Sequence, residues 1–234
     1  MSVIKKPSYN ISVISFDLDD TLWPVAPIIT AAENNFYRQI QDKYPRISNS
    51  LSNEQLRDKR IEYMRTRPHL HHDLSTLRTH FIDELLREHN YEADHERQLM
   101  RQFKEHRNKV SFYPGTLEAL ERLAAKYTLV ACTNGNADVF KTQAGQFFSH
   151  SISSEKVGVA KPDKRIFASL CSALGCRAPD VLHIGDNPQT DALGALHAGM
   201  HSIWFNQHNA DWPHPQRPHA TITHLDELAD LLPA

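Results

Sequence analysis

The chain contains little cysteine and no long apolar run, and both absences narrow the class of protein. Its 234 residues include three cysteines, an odd number whose spacing matches no zinc site, which argues against a disulfide framework. No segment approaches the roughly 20 apolar residues that a membrane-spanning helix requires. The start of the chain has no apolar signal core. We therefore expect a cytoplasmic protein without a membrane partner.

A surplus of charge of one sign is also nearly absent. The formal net charge is -2, so the chain lacks the global basic field that attracts nucleic acid, and we expect no nucleic-acid partner. The length allows a large core without disulfides, either as one domain with a sizeable insertion or as two small domains. The sequence leaves the oligomeric state open between a monomer and a homodimer.

The pattern of apolar residues predicts strands and helices that alternate along most of the chain. Ile11–Phe16 is a β-branched, mostly apolar run that ends abruptly at two carboxylates. Further strands are predicted at 128–133, 150–153, 181–185 and 201–205, with helices at 116–125, 137–143, 162–174, 189–199 and 225–232. This alternation predicts an α/β fold whose Rossmann-like parallel sheet is covered by helices on both faces.

The region after the first strand is different, because its patterns are helical throughout. Apolar residues recur at helical spacing from Leu74 to Leu85, and Ser52 with Gln55 forms a possible capping box before another helix. We therefore predict an all-helical domain inserted into the α/β core. The predicted bounds are 1–22 and 113–234 for the core and 23–112 for the insertion.

Two acidic clusters follow strands at what should be the same edge of the sheet. Asp17 and Asp19 come directly after the first strand, and Asp186 and Asp191 follow a later one. Buried carboxylates are costly unless they are paired or bind a metal, and two of them can serve as nucleophile and as acid or base. Together they form an oxygen-rich site of the kind that Mg²⁺ prefers. The alternative is that Asp186 caps the next helix.

Three further residues could bind an anion at this edge. Thr133 and Asn134 could donate hydrogen bonds to phosphate oxygens, although Asn-Gly is also an ordinary turn. Lys161 could supply a cation, although a lone lysine at a helix start is more often a solvated surface residue. The convergence of all these segments on one edge favours a phosphate site.

In this order and at these intervals, the four segments resemble the motifs of the haloacid dehalogenase superfamily of hydrolases. The resemblance covers 10–22 and 113–206 and implies a phosphatase that uses Mg²⁺ and forms an aspartyl-phosphate. It also implies that the insertion is a cap that closes over the site and selects the substrate. The resemblance is more specific for bacterial phosphatases of riboflavin biosynthesis, which act on a ribitylaminouracil phosphate. The segments similar to theirs are Phe16–Leu22, Thr133–Ala137, His183–Asp186 and, in the cap, His72-Asp73.

The resemblance assigns a role to each motif residue by position. Asp17 would be the nucleophile and Asp19 the general acid and base. Mg²⁺ would be held by Asp17, Asp186 and the main-chain carbonyl of Asp19. Phosphate would be bound by Thr133, Asn134 and Lys161, with support from Thr21, Asn187 and Asp191.

One stretch of the insertion, 68–73, combines three histidines with an aspartate. This composition could form a zinc site, but no further ligand group with suitable spacing is evident, and Asp73 is well suited to cap the following helix. We expect instead that His72, Asp73 or Arg78 contacts the substrate.

Several activities remain open within and outside the resemblance. A phosphomutase would share every core residue. A 2-haloacid dehalogenase is disfavoured, because such enzymes of the superfamily lack a carboxylate at the position of Asp19. A catalytically inactive binding module is disfavoured because all the motif residues are present, although a fold alone never fixes function. The expected substrate is a small phosphorylated metabolite, such as a ribitylaminouracil phosphate, FMN, a nucleotide or a sugar phosphate.

Overall fold

The computed structural model describes residues 11–92 and 95–232. The start of the chain, where no signal core is expected, lies outside the described residues. Within the described part, no helix has both the length and the apolar character to cross a bilayer. Residues up to Pro24 and from Ser111 onward form one compact unit, the core unit, and Val25–Val110 form a second, the helical unit. The predicted insertion, 23–112, is two residues longer at each end.

The core unit is built on a parallel sheet, which confirms the predicted fold class. Among the described residues the sheet has six strands in the order β3-β2-β1-β4-β5-β6, and all neighbouring strands are parallel. The strands are β1 Val13–Phe16, β2 Thr128–Thr133, β3 Phe148–Ser153, β4 Val181–Gly185, β5 His201–Phe205 and β6 Ala220–Ile222.

The centre of the sheet determines where a ligand can bind. β1 and β4 are buried along their whole lengths, as expected for strands covered on both faces. Phe16 lies opposite Ala131 of β2 on one side and Ile184 of β4 on the other. The strand order reverses at β1, and in such sheets ligands bind beyond the carboxyl ends of the strands at the reversal.

Helices cover this sheet through apolar contacts. Ile166, Phe167 and Leu170 of one helix are fully buried in a cluster that includes Val130 and Val181 of the strands. The α-helices of the core unit are α6 Thr116–Ala124, α7 Ser154–Val157, α8 Lys164–Leu174, α9 Gly194–His197 and α10 Leu228–Leu231. A π-helix spans Pro188–Leu193, and 3-10 segments lie at Val139–Lys141, Gln143–Phe147, Ala178–Asp180 and Leu225–Glu227.

The predicted elements of the core differ from the structure in several places, among them 137–143, 189–199 and strand β6. The helix predicted at 137–143 is wrong, because Asp138 caps the amide of Phe140 and the chain forms two short 3-10 segments instead. The helix predicted at 189–199 is a π-helix followed by the short helix α9. Strand β6 was not predicted, since it has three residues and only Ile222 is buried.

The helical unit contains α-helices and no strand among its described residues. Its α-helices are α1 Val25–Lys43, α2 Pro45–Ser48, α3 Asn53–Arg65, α4 Leu74–Glu88 and α5 Glu96–Arg107. The predicted capping box of Ser52 and Gln55 is confirmed at the start of α3. Phe36, Ile40, Phe81 and Phe103 meet in an apolar cluster between the helices, which gives the unit a core of its own.

Candidate active site

The site begins where β1 ends. The amide of Asp17 donates to the carbonyl of Ile184 at 2.9 Å, so the pairing of β1 with β4 continues one residue past the strand and fixes the Asp17 main chain. Leu18 then accepts hydrogen bonds from the amides of Thr21 and Leu22, which closes a tight turn. Asp20 occupies the left-handed region with φ 56° in this turn, a conformation that aspartate tolerates better than most residues.

Lys161 lies at the centre of the site. Its Nζ is 2.7 Å from Asp17 Oδ1, 2.6 Å from Asp191 Oδ1 and 2.6 Å from the carbonyl oxygen of Cys132. The side chain is 1% exposed, so the interpretation as a solvated surface lysine is wrong. Burial lowers the pKa of Lys161, but the two carboxylates more than offset this and raise it overall, which keeps the ammonium charged.

Asp191 holds Lys161 in place through a buried ion pair. Besides Lys161, its Oδ1 lies 3.3 Å from His183 Nε2, and its Oδ2 accepts from the amide of Asn187 at 3.0 Å. Burial raises the pKa of Asp191, but Lys161 and His183 lower it well below its usual range. A Cβ at Gly185 would lie 2.6 Å from Asp191 Oδ2, so glycine is required there for the carboxylate to pack against the strand.

Asp186 is the third carboxylate of the cluster. Thr21 Oγ1 donates to Asp186 Oδ1 at 3.2 Å and accepts from the Asp186 amide at 3.0 Å, so Thr21 ties the first and last motifs together. Burial, together with the charges of Asp191 and Asp20, raises the pKa of Asp186 to about 7. Asp186 does not cap the following helix, because Asn187 accepts from the amides of Gln189 and Thr190 instead.

One group of three potential metal ligands occurs in the described part of the chain. Oxygen atoms of Asp17, Asp186 and Asp191 all lie within 4.8 Å of one another. Burial raises the pKa of Asp17 well above its usual range, and the neighbouring carboxylates add to this while Lys161 opposes it. A divalent cation would relieve this repulsion, and oxygen ligands suit Mg²⁺. The residues present therefore fit a magnesium ion.

Asp19 lies beside the cluster rather than within it. Its side chain is half-buried and its Oδ1 accepts from Trp23 Nε1 at 2.9 Å. The ring of Trp23 packs edge-on against Phe112 with 5.5 Å between ring centroids. These contacts hold the Asp19 carboxylate on the turn that follows Asp17.

Thr133 is the last residue of β2, and Asn134 follows it at the same edge of the sheet. Thr133 is buried and its Oγ1 accepts from the amide of Gly135 at 2.9 Å. The Asn134 amide group brackets the Lys161 main chain, since it accepts from Lys161 N at 2.7 Å and donates to Lys161 O at 3.0 Å. The Asn134 side chain therefore positions Lys161.

The residues predicted in the insertion belong to the helical unit. Asp73 caps α4, as predicted, by accepting from the Thr76 amide at 2.8 Å. Arg78 is buried, donates to Glu33 at 3.2 Å and lies over the Phe103 ring at 3.6 Å, so it serves the packing of the unit itself. His72 is half-buried. The histidines of 68–73 form no metal-ligand group in the part of the chain that the structure describes.

Sequence reasoning assigned no role to His183. It is fully buried, and its Nδ1 lies 2.9 Å from Ser15 Oγ while its Nε2 faces Asp191. Burial lowers the pKa of His183, which favours the neutral ring. A histidine in the otherwise apolar strand β4 was the signal that could have identified it.

The comparisons with known proteins agree on one family. The family model of haloacid dehalogenase-like hydrolases matches residues 11–199. The chain is 29% identical to the 5-amino-6-(5-phospho-D-ribitylamino)uracil phosphatase YigB of Escherichia coli, over 97% of this chain and 98% of that protein. It is 27% identical to the glyceraldehyde 3-phosphate phosphatase of Pyrococcus abyssi, over 95% of this chain and 92% of the relative.

Solved structures agree on the fold. The crystal structure of a 2-haloacid dehalogenase from Pseudomonas syringae pv. Tomato superposes with a TM-score of 0.86 at 32% identity, and the match covers 94% of this chain and 97% of that one. A phosphatase of the same family from Thermococcus onnurineus superposes with a TM-score of 0.69 at 22% identity, covering 94% and 97% of the two chains.

Proposed function

The chain is a member of the haloacid dehalogenase-like hydrolases, and we propose that it is a Mg²⁺-dependent phosphatase that cleaves a small phosphomonoester through an aspartyl-phosphate on Asp17. The observation that carries the proposal is the buried contact of Asp17 Oδ1 with Lys161 Nζ, at 2.7 Å, beside two further carboxylates. In this arrangement the proposed nucleophile lies beside a buried cation and two further carboxylates that could hold a metal.

The cations of the site would make the attack possible. A carboxylate and a phosphate dianion repel each other, and the ammonium of Lys161 offsets part of that repulsion. Mg²⁺ held by Asp17, Asp186 and the Asp19 carbonyl would supply the remaining positive charge. Asp191 and Asn134 would keep Lys161 in place, and most of the rate would come from positioning and charge stabilisation.

The reaction would proceed in two displacements. In the first, a carboxylate oxygen of Asp17 attacks phosphorus, the bond to the ester oxygen breaks, and Asp19 donates its proton to the departing alcohol. In the second, Asp19 takes a proton from water, which attacks phosphorus and releases phosphate and the Asp17 carboxylate. Thr133 and the main-chain amide of Asn134 would bind the phosphoryl oxygens. The steps consume one water and regenerate the enzyme.

A second candidate function is dehalogenation, because a solved structure with high similarity carries the name of a 2-haloacid dehalogenase. In that reaction a carboxylate displaces halide from carbon, and the leaving halide needs no proton. Asp19 favours the phosphatase, since a carboxylate acid is useful only when the leaving group must be protonated. Two relatives that match nearly the whole chain, YigB and the Pyrococcus abyssi protein, are both named as phosphatases.

The substrate we propose is a small phosphorylated metabolite handled in the cytoplasm. A ribitylaminouracil phosphate is the first compound to test, since the YigB relative matches almost end to end. Nucleotides and sugar phosphates follow, and interconversion of sugar-phosphate isomers would reveal a phosphomutase. The helical unit would act as the cap that selects among them. The three cysteines, all free in the structure, suit a reducing compartment.

The test is phosphate release from para-nitrophenyl phosphate with Mg²⁺ and with EDTA, followed by the metabolite panel. We expect magnesium-dependent turnover that falls by about 10⁴-fold or more in Asp17→Asn, a substitution that removes the nucleophile but keeps its shape. Asp230→Asn, at an exposed position of α10, is the matched control and should keep full activity. Chloride release from 2-chloropropionate without phosphate release would establish the dehalogenase and exclude the phosphatase.

A further inference from the structure

The helical unit buries a cluster of charges that the proposed function does not use. Glu33 of α1 is 9% exposed, and its Oε1 lies 2.6 Å from Arg60 Nη2 and 3.2 Å from Arg78 Nη2. Arg57 Nε lies 4.0 Å from the other oxygen, Oε2. We call these four residues the arginine cluster. Three guanidinium groups thus share one carboxylate, which leaves a surplus of positive charge; Arg60 and Arg78 are largely buried, whereas Arg57 lies at the exposed edge of the cluster.

The surplus has consequences for each buried arginine. Burial and the neighbouring charge of Arg60 lower the pKa of Arg78 to about 9, and Arg107 contributes to the same effect. Burial lowers the pKa of Arg60, and the positive charge of Arg57 lowers it further, although Glu33 acts in the opposite direction. Guanidinium groups almost never lose their proton. An anion would therefore stabilise the cluster by neutralising the surplus.

The donors of the cluster are incompletely satisfied. Arg60 Nε is buried and has no hydrogen-bond partner in the described part of the chain. The side chain of Arg57 is 60% exposed. Among the described residues it forms an ion pair with Glu33, at the long distance of 4.0 Å. A buried, charged N–H without an acceptor is costly, which points to an acceptor that is not part of the protein.

Space for such an acceptor lies beside these donors. A cavity of about 20 Å³ is lined by the whole arginine cluster together with Asn53 and Phe36, and this is room for one water-sized group. A second cavity of about 330 Å³ shares Glu33, Asn53 and Arg57 with it and adds Thr30, Asn34 and the exposed Glu54. Because the two cavities share these three lining residues, one oxygen of a larger anion would occupy the first cavity and its remaining atoms the second.

We propose that the arginine cluster is a binding site for a small oxyanion, a carboxylate or phosphate group of a metabolite, and that it is formed by side chains of the helical unit. One oxygen of the anion accepts from Arg60 Nε and the guanidinium of Arg57. Asn53, Asn34 and Thr30 supply the neutral polar groups around the rest of the ligand. The site belongs to the helical unit alone and does not depend on the proposed function.

The test is NMR of the arginine Nε–H groups of the full chain, titrated with malonate and, separately, with inorganic phosphate at constant ionic strength. We expect a saturable shift of the Arg60 and Arg57 signals. The half-saturation concentration should rise at least tenfold in Arg57→Gln and stay unchanged in Arg65→Gln, an exposed arginine on the same helix that pairs with Glu62. A shift with malonate alone would identify a carboxylate, and one with phosphate alone a phosphate ligand.

Two results would overturn the proposal. One is an Arg60 signal that neither anion changes, which would mean that water occupies the cavity. The other is a shift of equal size and concentration dependence in Arg57→Gln and Arg65→Gln, which would reduce the effect to general ionic screening. Because the signals report on the helical unit directly, neither result bears on phosphate release at Asp17.

Discussion

The core unit and the helical unit each bury a cluster of charges, and the surplus charge of the two clusters has opposite sign. In the core unit, the carboxylates of Asp17, Asp186 and Asp191 lie close together, and two of them, Asp17 and Asp191, pair with Lys161. In the helical unit, the arginine cluster surrounds Glu33. Buried charge is costly unless it is compensated, so a cation would stabilise the first cluster and an anion the second.

The two clusters also differ in how the chain assembles them. The residues of the core cluster follow two separate strands, β1 and β4, and a loop, and Lys161 is 144 positions from Asp17. Main-chain hydrogen bonds between β1 and β4 fix the positions of the carboxylates that follow these strands. The arginine cluster projects from helix faces, where Arg57 and Arg60 are neighbours on α3. The core cluster is therefore rigid before a ligand arrives, whereas Arg57 at the edge of the other cluster is solvated.

The largest effect is expected from Lys161→Gln. It leaves Asp17 and Asp191 buried without their cation, and removing one partner of a buried pair costs about 3–5 kcal/mol. We expect that loss in urea unfolding at pH 7, together with a fall in kcat of about 10²-fold or more. The loss should shrink as the pH is lowered, because the carboxylates then become protonated. Unchanged stability would show that Lys161 does not compensate them.

The matching change in the helical unit is Glu33→Gln. It leaves Arg60 and Arg78 without their carboxylate, and we expect a loss of about 3 kcal/mol in the free energy of unfolding. Glu62→Gln, which removes the exposed partner of Arg65, is the control and should be nearly neutral. Equal losses in the two glutamate variants would contradict the account of the arginine cluster.

A smaller effect is expected from Gly185→Ala, which tests how tightly the core cluster is packed. The added methyl group would overlap the Asp191 carboxyl group, and such overpacking costs about 1–3 kcal/mol. Because Asp191 also holds Lys161, kcat should fall about tenfold while the substrate KM changes little. Gly158→Ala, where a Cβ meets nothing within 4 Å although φ is 81°, separates backbone strain from the overlap.

The smallest effect is expected from an uncharged histidine pair, His201 and His219. It shows how little a partly exposed pair contributes to stability compared with the two charged clusters. The Ser202 amide donates to His219 Nδ1 at 3.2 Å, so His219 Nε2 carries a proton and donates to His201 Nδ1 at 3.3 Å. Burial lowers the pKa of both rings below the usual 6.5, and their mutual repulsion lowers that of His201 further.

Stability should follow the protonation of this pair. The unfolded chain binds protons at a higher pH than the folded one, so the contribution is complete above about pH 6.5 and is lost as the pH falls through the lowered pKa values. We expect a decline of less than about 1 kcal/mol, since both rings are partly solvated. Thermal unfolding between pH 8 and pH 5 measures it, and His219→Gln should flatten the curve. An identical slope in this variant would assign the decline to other groups.

The elements that were predicted well have a common physical basis. Strands β2, β4 and β5 lie where the apolar runs placed them, because burial on both faces requires continuous apolar sequence. The helix predicted at 137–143 failed because propensity could not reveal the capping by Asp138. Strand β6 is held by pairing with β5 rather than by its own sequence.

The site was predictable only in part for a similar reason. The motifs indicated which residues meet, but the burial of Lys161 and the contact of His183 with Asp191 depend on pairings between strands that are distant in sequence. The arginine cluster gave no signal at all, since charged residues at helical spacing usually form a solvated face. Only the packing of α1, α3 and α4 shows that Glu33, Arg60 and Arg78 are largely buried.

The central claim is that Asp17 carries the phosphoryl group, and trapping that intermediate tests it most directly. In Asp19→Asn, para-nitrophenolate can still leave without a proton, whereas the base for the second displacement is missing. Asp19→Asn incubated with Mg²⁺ and para-nitrophenyl phosphate, quenched in acid and analysed by peptide mass spectrometry, should gain one phosphoryl group on Asp17. A burst of nitrophenolate without any phosphorylated peptide, or a phosphoryl group on another residue, would contradict the account.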